Sequence, residues 1–329
     1  MLEAGGHWEV FQPFGGGASC QDRCSGWIFM KDDGSFRDRQ RVLNVLTYAW
    51  RRLEDAIDSE DLASQAGLSL THFHRVFLQV MGETPQAHLR RLRLERAALA
   101  LCHGDASVAD MAVAAGYDSR EGFTRAFTEH FGRSPMALRD RGRKYVARVA
   151  AQRGVRRAAM PVAFGTFPAT RVAFWRHYGP YRYVGRAFIE LGRWAQSRGL
   201  LLSDASFLGV SYDQEWVTPA RHRRYDACLT VPADFAGDGL IGVQEIPGGS
   251  YAVAEYEGRP FGLLNAWKWL TFCWYPASGY HFWGPCPFDL HPAAVLPGSR
   301  TELLALAARS IRCRIYLPVS RNIAPGILF

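Results

Sequence analysis

Two arginines raise the first chemical question. Arg75 and Arg125 each follow a phenylalanine, Phe73 or Phe123, by two positions, in stretches that resemble one another. A guanidinium carries a planar fork of donors that matches the acceptor edge of guanine. Beside them stand Thr71 and His74 in the first stretch and Arg120, Glu121 and Thr124 in the second, all able to exchange hydrogen bonds with base edges. A second chemistry comes from the aromatic residues, because most of the 10 tryptophans lie beyond residue 170. Aromatic faces attract a desolvated cation. Metal chemistry has little support: the seven cysteines are thinly spread, and the one close pair, Cys20 and Cys24, lacks the further ligands of a tetrahedral site. We read them as free thiols. His177, His281 and His291 are too scattered for a metal site, and no nucleotide loop or serine, histidine and aspartate arrangement stands out. No catalytic residue, metal or cofactor is assigned.

A chain of 329 residues, 48% apolar and 21% charged, is globular in composition and long enough for two cores. No run reaches the roughly 18 uncharged apolar residues that a membrane helix needs. The opening MLEAGGHWEVF lacks a secretion signal, so a cytoplasmic location without membrane contact is expected. Residues 1–37, rich in glycine around positions 15–17, read as a disordered tail. The net charge is +8, and eight basic residues stand between Arg139 and Arg157 against the single acid Asp140. Such a run serves either as a solvated linker or as a phosphate contact.

The first half contains a repeat. Asp61-Leu-Ala63-Ser-Gln-Ala66-Gly67 recurs as Asp110-Met-Ala112-Val-Ala-Ala115-Gly116, and Phe73-His-Arg75-Val-Phe77 recurs as Phe123-Thr-Arg125-Ala-Phe127. Gly82, Pro85 and Ala87 continue the match against Gly132, Pro135 and Ala137. Each copy reads as helix, tight turn, helix. The alanines allow close approach, the glycine allows a positive φ, and Ser69 in the first copy, or Asp118 or Ser119 in the second, stands where a cap is needed. The paired phenylalanines, four apart, should point inward, leaving Thr71, His74, Arg75, Arg120, Glu121, Thr124 and Arg125 facing partly outward. Thr84-Pro85 and Ser134-Pro135 start a further helix after each unit. The first of these, from Pro85 to about Leu101, would be about 24 Å long and carries Arg90, Arg91, Arg93 and Arg96. It could hold two recognition helices near the ~34 Å spacing of successive major grooves. Arg90 and Arg143 are candidates for phosphate contact. A plain helical bundle is the alternative.

On these residues, together with Tyr117 and Phe131, the segment 38–145 resembles the DNA-binding domain of AraC/XylS transcription regulators. The resemblance implies an all-α domain of two helix-turn-helix units joined by a linker helix, with double-stranded DNA as partner. The helices near 71–81 and 119–131 would then read the major groove.

After a basic linker at 146–159 the texture changes to aromatic residues, glycine, proline and short β-type runs. Val172-Ala-Phe-Trp175-Arg-His177-Tyr-Gly179-Pro-Tyr181 is echoed weakly by Tyr251-Ala-Val-Ala-Glu255-Tyr256-Glu-Gly258-Arg-Pro-Phe261, and each copy leads into a helix. An α+β domain of two pseudo-repeated halves sharing an antiparallel sheet is expected. Residues 160–320 resemble the GyrI-like effector-binding domain, on His177 to Tyr181, Gly209 to Asp213, Arg224 to Cys228, Ile246 to Val253, Pro287-Phe288-Asp289 and Ile315 to Pro318. A short tail, 321–329, follows. The resemblance implies a cleft between the halves for lipophilic, often cationic compounds, with aromatic walls and a glutamate on a late strand. Here Asp289 stands at that point, and His291 replaces the usual tyrosine. Trp175, Tyr181, Tyr212, Trp216, Trp267, Trp274, Trp283 and Phe288 are candidate walls or core residues. Glu255 is the second candidate carboxylate.

The implied function is a sequence-specific transcription regulator controlled by a small lipophilic, cationic ligand. RNA polymerase is a candidate further partner, and a monomer or homodimer would serve. The alternatives are a hydrolase, with Asp289 or Glu255 as general base, and a sequestering protein built on the same pocket.

Overall fold

The computed structural model describes residues 33–53, 55, 57–103, 106–200, 205–235, 241–282, 287–291, 301 and 309–320. The cysteines at 20 and 24, Trp283 and the tail 321–329 lie outside them. Helix α1 (Asp33–Arg51) begins inside the stretch expected as a tail, because Val42, Leu43, Val45, Leu46 and Ala49 give it a buried face.

The two repeated units have the same local construction. The first consists of α2 (Ser59–Ala66) and α3 (Leu70–Met81), the second of α5 (Val108–Ala114) and α6 (Arg120–Phe131). A capping box opens both leading helices, Asp58 with Asp61 in α2 and Ser107 with Asp110 in α5, satisfying backbone donors that the first turn leaves free. Between the helices the chain turns through Gly67 (φ 62°) and Gly116 (φ 77°), a region costly for any residue with a Cβ. Phe73 and Phe77, and Phe123 and Phe127, are fully buried beneath α3 and α6. The linker helix α4 (Pro85–His103) and the trailing helix α7 (Pro135–Ala150) are capped by Thr84 and Ser134, whose hydroxyls accept from Ala87 N (3.2 Å) and Ala137 N (3.3 Å). Helix α7 runs past residue 145, and α8 (Arg153–Arg156) follows, so much of the expected linker is helical.

The second half is an antiparallel sheet. Its strands are β1 (Val162–Phe167), β2 (Thr170–Tyr178), β3 (Phe207–Ser211), β4 (Arg224–Thr230), β5 (Gly242–Ile246), β6 (Gly249–Gly258), β7 (His281–Phe282), β8 (Phe288–His291) and β9 (Ile311–Ser320). The order across the sheet is β1-β6-β9-β8-β3-β4-β2-β5, with β7 added against β9. Outward from the central β3·β8 pair, one flank runs β4, β2, β5 and the other β9, β6, β1.

Strand alternation gives the sheet two different faces. On one, small residues (Ala173, Ala227, Ala252, Ala254) let α9 (Gly185–Ser197) and α10 (Pro260–Trp269) pack closely. After α10 the chain makes a π-type turn, Leu270–Trp274, and the short α11 (Tyr275–Ser278). On the other face Val172, Phe174, Leu208, Val210, Cys228, Phe288 and Tyr316 join a single core with α1 and the first helical unit. The second unit packs around a separate core, built on Leu94, Leu101, Met111, Phe123, Phe127 and Leu138, which Val217 of the sheet half also enters. Among the described residues no helix is long and apolar enough to cross a membrane, and no group of three or more metal-ligating side chains could hold an ion.

Candidate functional site

Helices α3 and α6 each bury one stripe and leave another in solvent. Thr71 and Arg75 are exposed on α3; Arg120, Glu121 and Arg125 are exposed on α6, and Thr124 is half-buried beside them. These α6 residues, with Thr128 and Glu129, line one open concavity. His74 is half-buried, its ring edge-on to Phe73, and its Nε2 has no hydrogen-bond partner. Ser119 caps α6 by accepting from Gly122 N at 3.1 Å, whereas Ser69 occupies the same place on α3 without a side-chain cap bond.

The arginines of α4 have different fates. Arg90 is exposed, with Glu129 of α6 at 3.6 Å, and Arg143 is exposed on α7. Arg93 turns inward and donates to the carbonyls of Asp55 (3.1 Å) and Ile57 (3.0 Å), anchoring the connection between α1 and α2. Arg91 is buried between Glu83 (2.7 Å) and Glu95 (3.3 Å). The imidazole of His88 lies against the same Glu83 carboxylate at 2.7 Å. Arg91 donates to that carboxylate as well, which leaves Nδ1–H of a neutral ring as the His88 donor. Burial pushes the His88 pKa down to about 4, overriding the pull of Glu83. Burial alone would raise Glu83, but the bonds from His88 and Arg91 prevail and hold it near 2.

Asp289 sits at the centre of the sheet on the α9/α10 face and is 4% exposed. Two ring N–H groups hold it: Trp267 Nε1 donates to Oδ1 (3.1 Å) and His291 Nε2 contacts Oδ2 (2.7 Å). Phe207 stacks in parallel on His291, with ring centroids 4.4 Å apart. Tyr225 lies alongside, edge-on to Phe188 of α9 and to Tyr181. Burial, and after it the Asp289 charge, raise the Tyr225 hydroxyl well above the usual phenol range. Gly209 makes the approach possible, since a Cβ there would lie 2.8 Å from Asp289 Oδ2 and collide with the Tyr225 hydroxyl.

Of the sequence candidates for this cleft, the structure brings together Asp289, Trp267 and Tyr181, with Trp175 half-buried on the same face against α9. Phe288 and Tyr212 face the other way, because they alternate with residues that point to α9 and α10. Trp216 stacks on Tyr145 of α7 (5.7 Å) and packs against the second unit. Glu255 is exposed and pairs with Arg314 at 3.2 Å. Trp274 lies near Phe164 and Tyr280. Sequence reasoning missed Tyr225, Phe188 and Phe207 as neighbours of the carboxylate. Tyr225 stood in the quoted stretch Arg224 to Cys228, and its place two residues from Ala227 on β4 was the available signal.

A polar seam, also missed, ties the halves together. Arg224 forms a buried pair with Asp213 (2.6 Å), lies 4.4 Å over the Trp50 ring of α1, and faces Tyr212 at 5.3 Å. Beside it Arg176 grips Asp226 through two bonds of 2.7 Å. Both arginines are held above their usual range because, although burial opposes the charge, the paired carboxylates outweigh it. The Tyr181 hydroxyl, on the cleft side, donates to Asp213 O at 2.6 Å and so touches the backbone of the Asp213–Arg224 pair.

Residues 62–141 match a family model described as a helix-turn-helix domain, and residues 160–290 match one described as a GyrI-like small molecule binding domain. The chain is 34% identical over 99 residues to the HTH-type transcriptional activator RhaS of Yersinia pestis (strain Pestoides F), covering 30% of this chain and 36% of that protein. It is 32% identical over 98 residues to the HTH-type transcriptional regulator YbfP of Bacillus subtilis (strain 168), covering 30% and 33%. The chain thus spans about a third of the length of these curated relatives. Among solved structures, a transcriptional regulator with an AraC-type DNA-binding domain from Chromobacterium violaceum aligns with 24% identity over 34% of this chain and 96% of that one, with a TM-score of 0.31.

Proposed function

We propose that this chain, which joins a helix-turn-helix domain of the AraC/XylS type to a GyrI-like domain, is a sequence-specific DNA-binding transcription regulator controlled by a small molecule. The observation that carries the reading is the pair of solvent-facing stripes on α3 and α6, with Arg75 and Arg125 at matching positions above identical phenylalanine cores. One chain carries both readers, so a monomer suffices to engage two major-groove segments. Arg90 and Arg143 contact phosphates and add affinity for any duplex. RNA polymerase is the further partner that activation would require. Selection of bound duplexes from a random pool tests the reading: enrichment of a two-part site supports it, and binding without preference counters it.

The ligand enters between the two pseudo-repeated halves of the sheet, over Asp289. That carboxylate is buried and held by two ring N–H donors, among the aromatic rings of Trp267, Tyr225, Phe207 and Phe188, an arrangement suited to a flat lipophilic cation. Asp289→Asn keeps the volume and removes the charge. Titrating tryptophan fluorescence with a matched cationic and neutral dye pair should show the cationic dye weakened by about 1 to 3 kcal/mol and the neutral one little changed. Equal loss of both dyes, or of neither, rejects Asp289 as the charge partner. Turnover of either dye would redirect the reading to a hydrolase.

A further inference from the structure

The two reading helices share their buried phenylalanines and an exposed arginine, and differ at other positions that meet solvent. Aligned on their phenylalanines, Leu70 and Thr71 of α3 correspond to Arg120 and Glu121 of α6, and both pairs are exposed at the N-terminal end of their helix. In helix-turn-helix proteins that end is the one that reaches base edges. Leu70 is 40% exposed. Nothing in the unit needs an apolar side chain there, since Phe73, Val76 and Phe77 already supply the core of α3.

Base chemistry separates the two ends. A leucine side chain and a threonine methyl contact the 5-methyl group of thymine, and neither can satisfy the polar edge of a G·C pair as an ion can. An arginine takes guanine O6 and N7, and a glutamate accepts from cytosine N4. We infer that the protein reads an asymmetric site: α3 takes an element in which thymine methyls flank the guanine bound by Arg75, while α6 takes a G·C element bound by Arg120, Glu121 and Arg125. This rests on the reading that both helices enter the major groove. It adds that the element under α3 is recognised in part by apolar contact, so a single chain fixes its own orientation on the duplex.

The test uses the full chain and the duplex it selects from a random pool. Arg75→Ala and Arg125→Ala first assign each element to its helix. Uracil then replaces thymine in one element at a time, deleting only the methyl groups. Substitution in the α3 element should weaken binding about threefold to tenfold, the scale of a lost base contact, with little change in the other element. Leu70→Ala combined with Thr71→Ala should abolish that sensitivity while leaving overall folding intact, as both positions are exposed. Leu70→Arg combined with Thr71→Glu should move the preference of the α3 element towards G·C. Two elements of the same composition, or equal sensitivity to uracil in both, would overturn the inference while leaving DNA binding standing. Failure to enrich any duplex would instead remove the functional reading on which it rests.

Discussion

The first and second helix-turn-helix units repeat the same turn glycine and buried phenylalanines, yet they are attached to the rest of the molecule by different chemistry. At an offset of fifty residues, Glu83, His88, Arg91 and Glu95 correspond to Arg133, Leu138, Arg141 and Tyr145. In the first unit these positions make a buried ionic cluster, and the adjoining α1 presents Trp50 to Arg224 of the sheet domain. In the second, Leu138 enters an apolar core that Val217 and Trp216 of the sheet half also join, and Tyr145 stacks on Trp216 and meets Phe272. A repeat therefore specifies the local turn and its buried phenylalanines, while positions outside that pattern, such as Glu83, Arg91 and Tyr145, differ in how they hold each copy. The first unit is built into the sheet; the second leans on it through a few aromatic contacts.

The largest effects should expose that difference. Phe73→Ala and Phe123→Ala each remove a fully buried ring and should cost about 3 to 5 kcal/mol. Their consequences should spread differently: loss of Phe73 weakens hydrogen-exchange protection in β2 and β3 as well as in α3, because the core is continuous, whereas loss of Phe123 stays within α4 to α7 and the turn at Trp216 and Val217, leaving the strands protected. Equal spread from both sites would erase the contrast.

His88 supplies the next effect, and it belongs to the first unit alone. In the unfolded chain it takes a proton near pH 6.5, while in the folded protein burial holds it near 4. A depressed folded pKa means that the unfolded state binds more protons between those values, so stability is complete above about pH 6.5 and falls as the pH drops towards 4. The loss should approach about 3 kcal/mol at the lower end, by the worth of each pKa unit. Denaturant melts across this range should show the slope, and His88→Gln should flatten it. An unchanged slope would remove His88 as the source.

On the second unit's side, Gly142 of α7 leaves room for Cys102 and Trp216, whose atoms would lie 2.5 and 2.8 Å from an added Cβ. Gly142→Ala should cost about 1 to 3 kcal/mol by overpacking. A shift in tryptophan emission would report Trp216. A neutral result would show that this contact yields freely. The smallest contrast lies at the helix caps: Ser119→Ala should cost about 1 kcal/mol and Ser69→Ala close to none, since only Ser119 bonds a backbone N–H through its side chain. Equal costs would contradict the difference between the caps.

Much of the helical half was legible because its signals are local. Gly67, Phe73, Ser119 and Thr84-Pro85 specify a turn, a buried face, a cap and a helix start from their immediate neighbours, whereas Ser69 makes no side-chain cap bond and the capping boxes of α2 and α5 were not read. The outward position of Arg75 and Arg125 followed from the same periodicity. Arg91 and Arg93 were not legible as structural: their sequence says only that they lie on a helix with other arginines, and their partners depend on how α4 packs. In the sheet half, alternation marked strands without saying which face a helix would cover. Hence Phe288 and Asp289 were grouped as neighbours of one ligand, although adjacent strand residues point to opposite faces. Tyr212 was misplaced for the same reason, as it meets Trp50 of α1; Trp216, in a turn, stacks on Tyr145 of α7 through packing that no strand pattern announces.

The most direct test of the account is a missing-contact footprint of the full chain on its selected duplex, comparing the parent protein with Arg75→Ala and Arg125→Ala. The two elements should lie about one helical turn apart, and each substitution should erase guanine contacts in one of them while sparing the other. If both substitutions erased the same contacts, or either left every contact in place, the two helices could not be independent readers of successive major grooves.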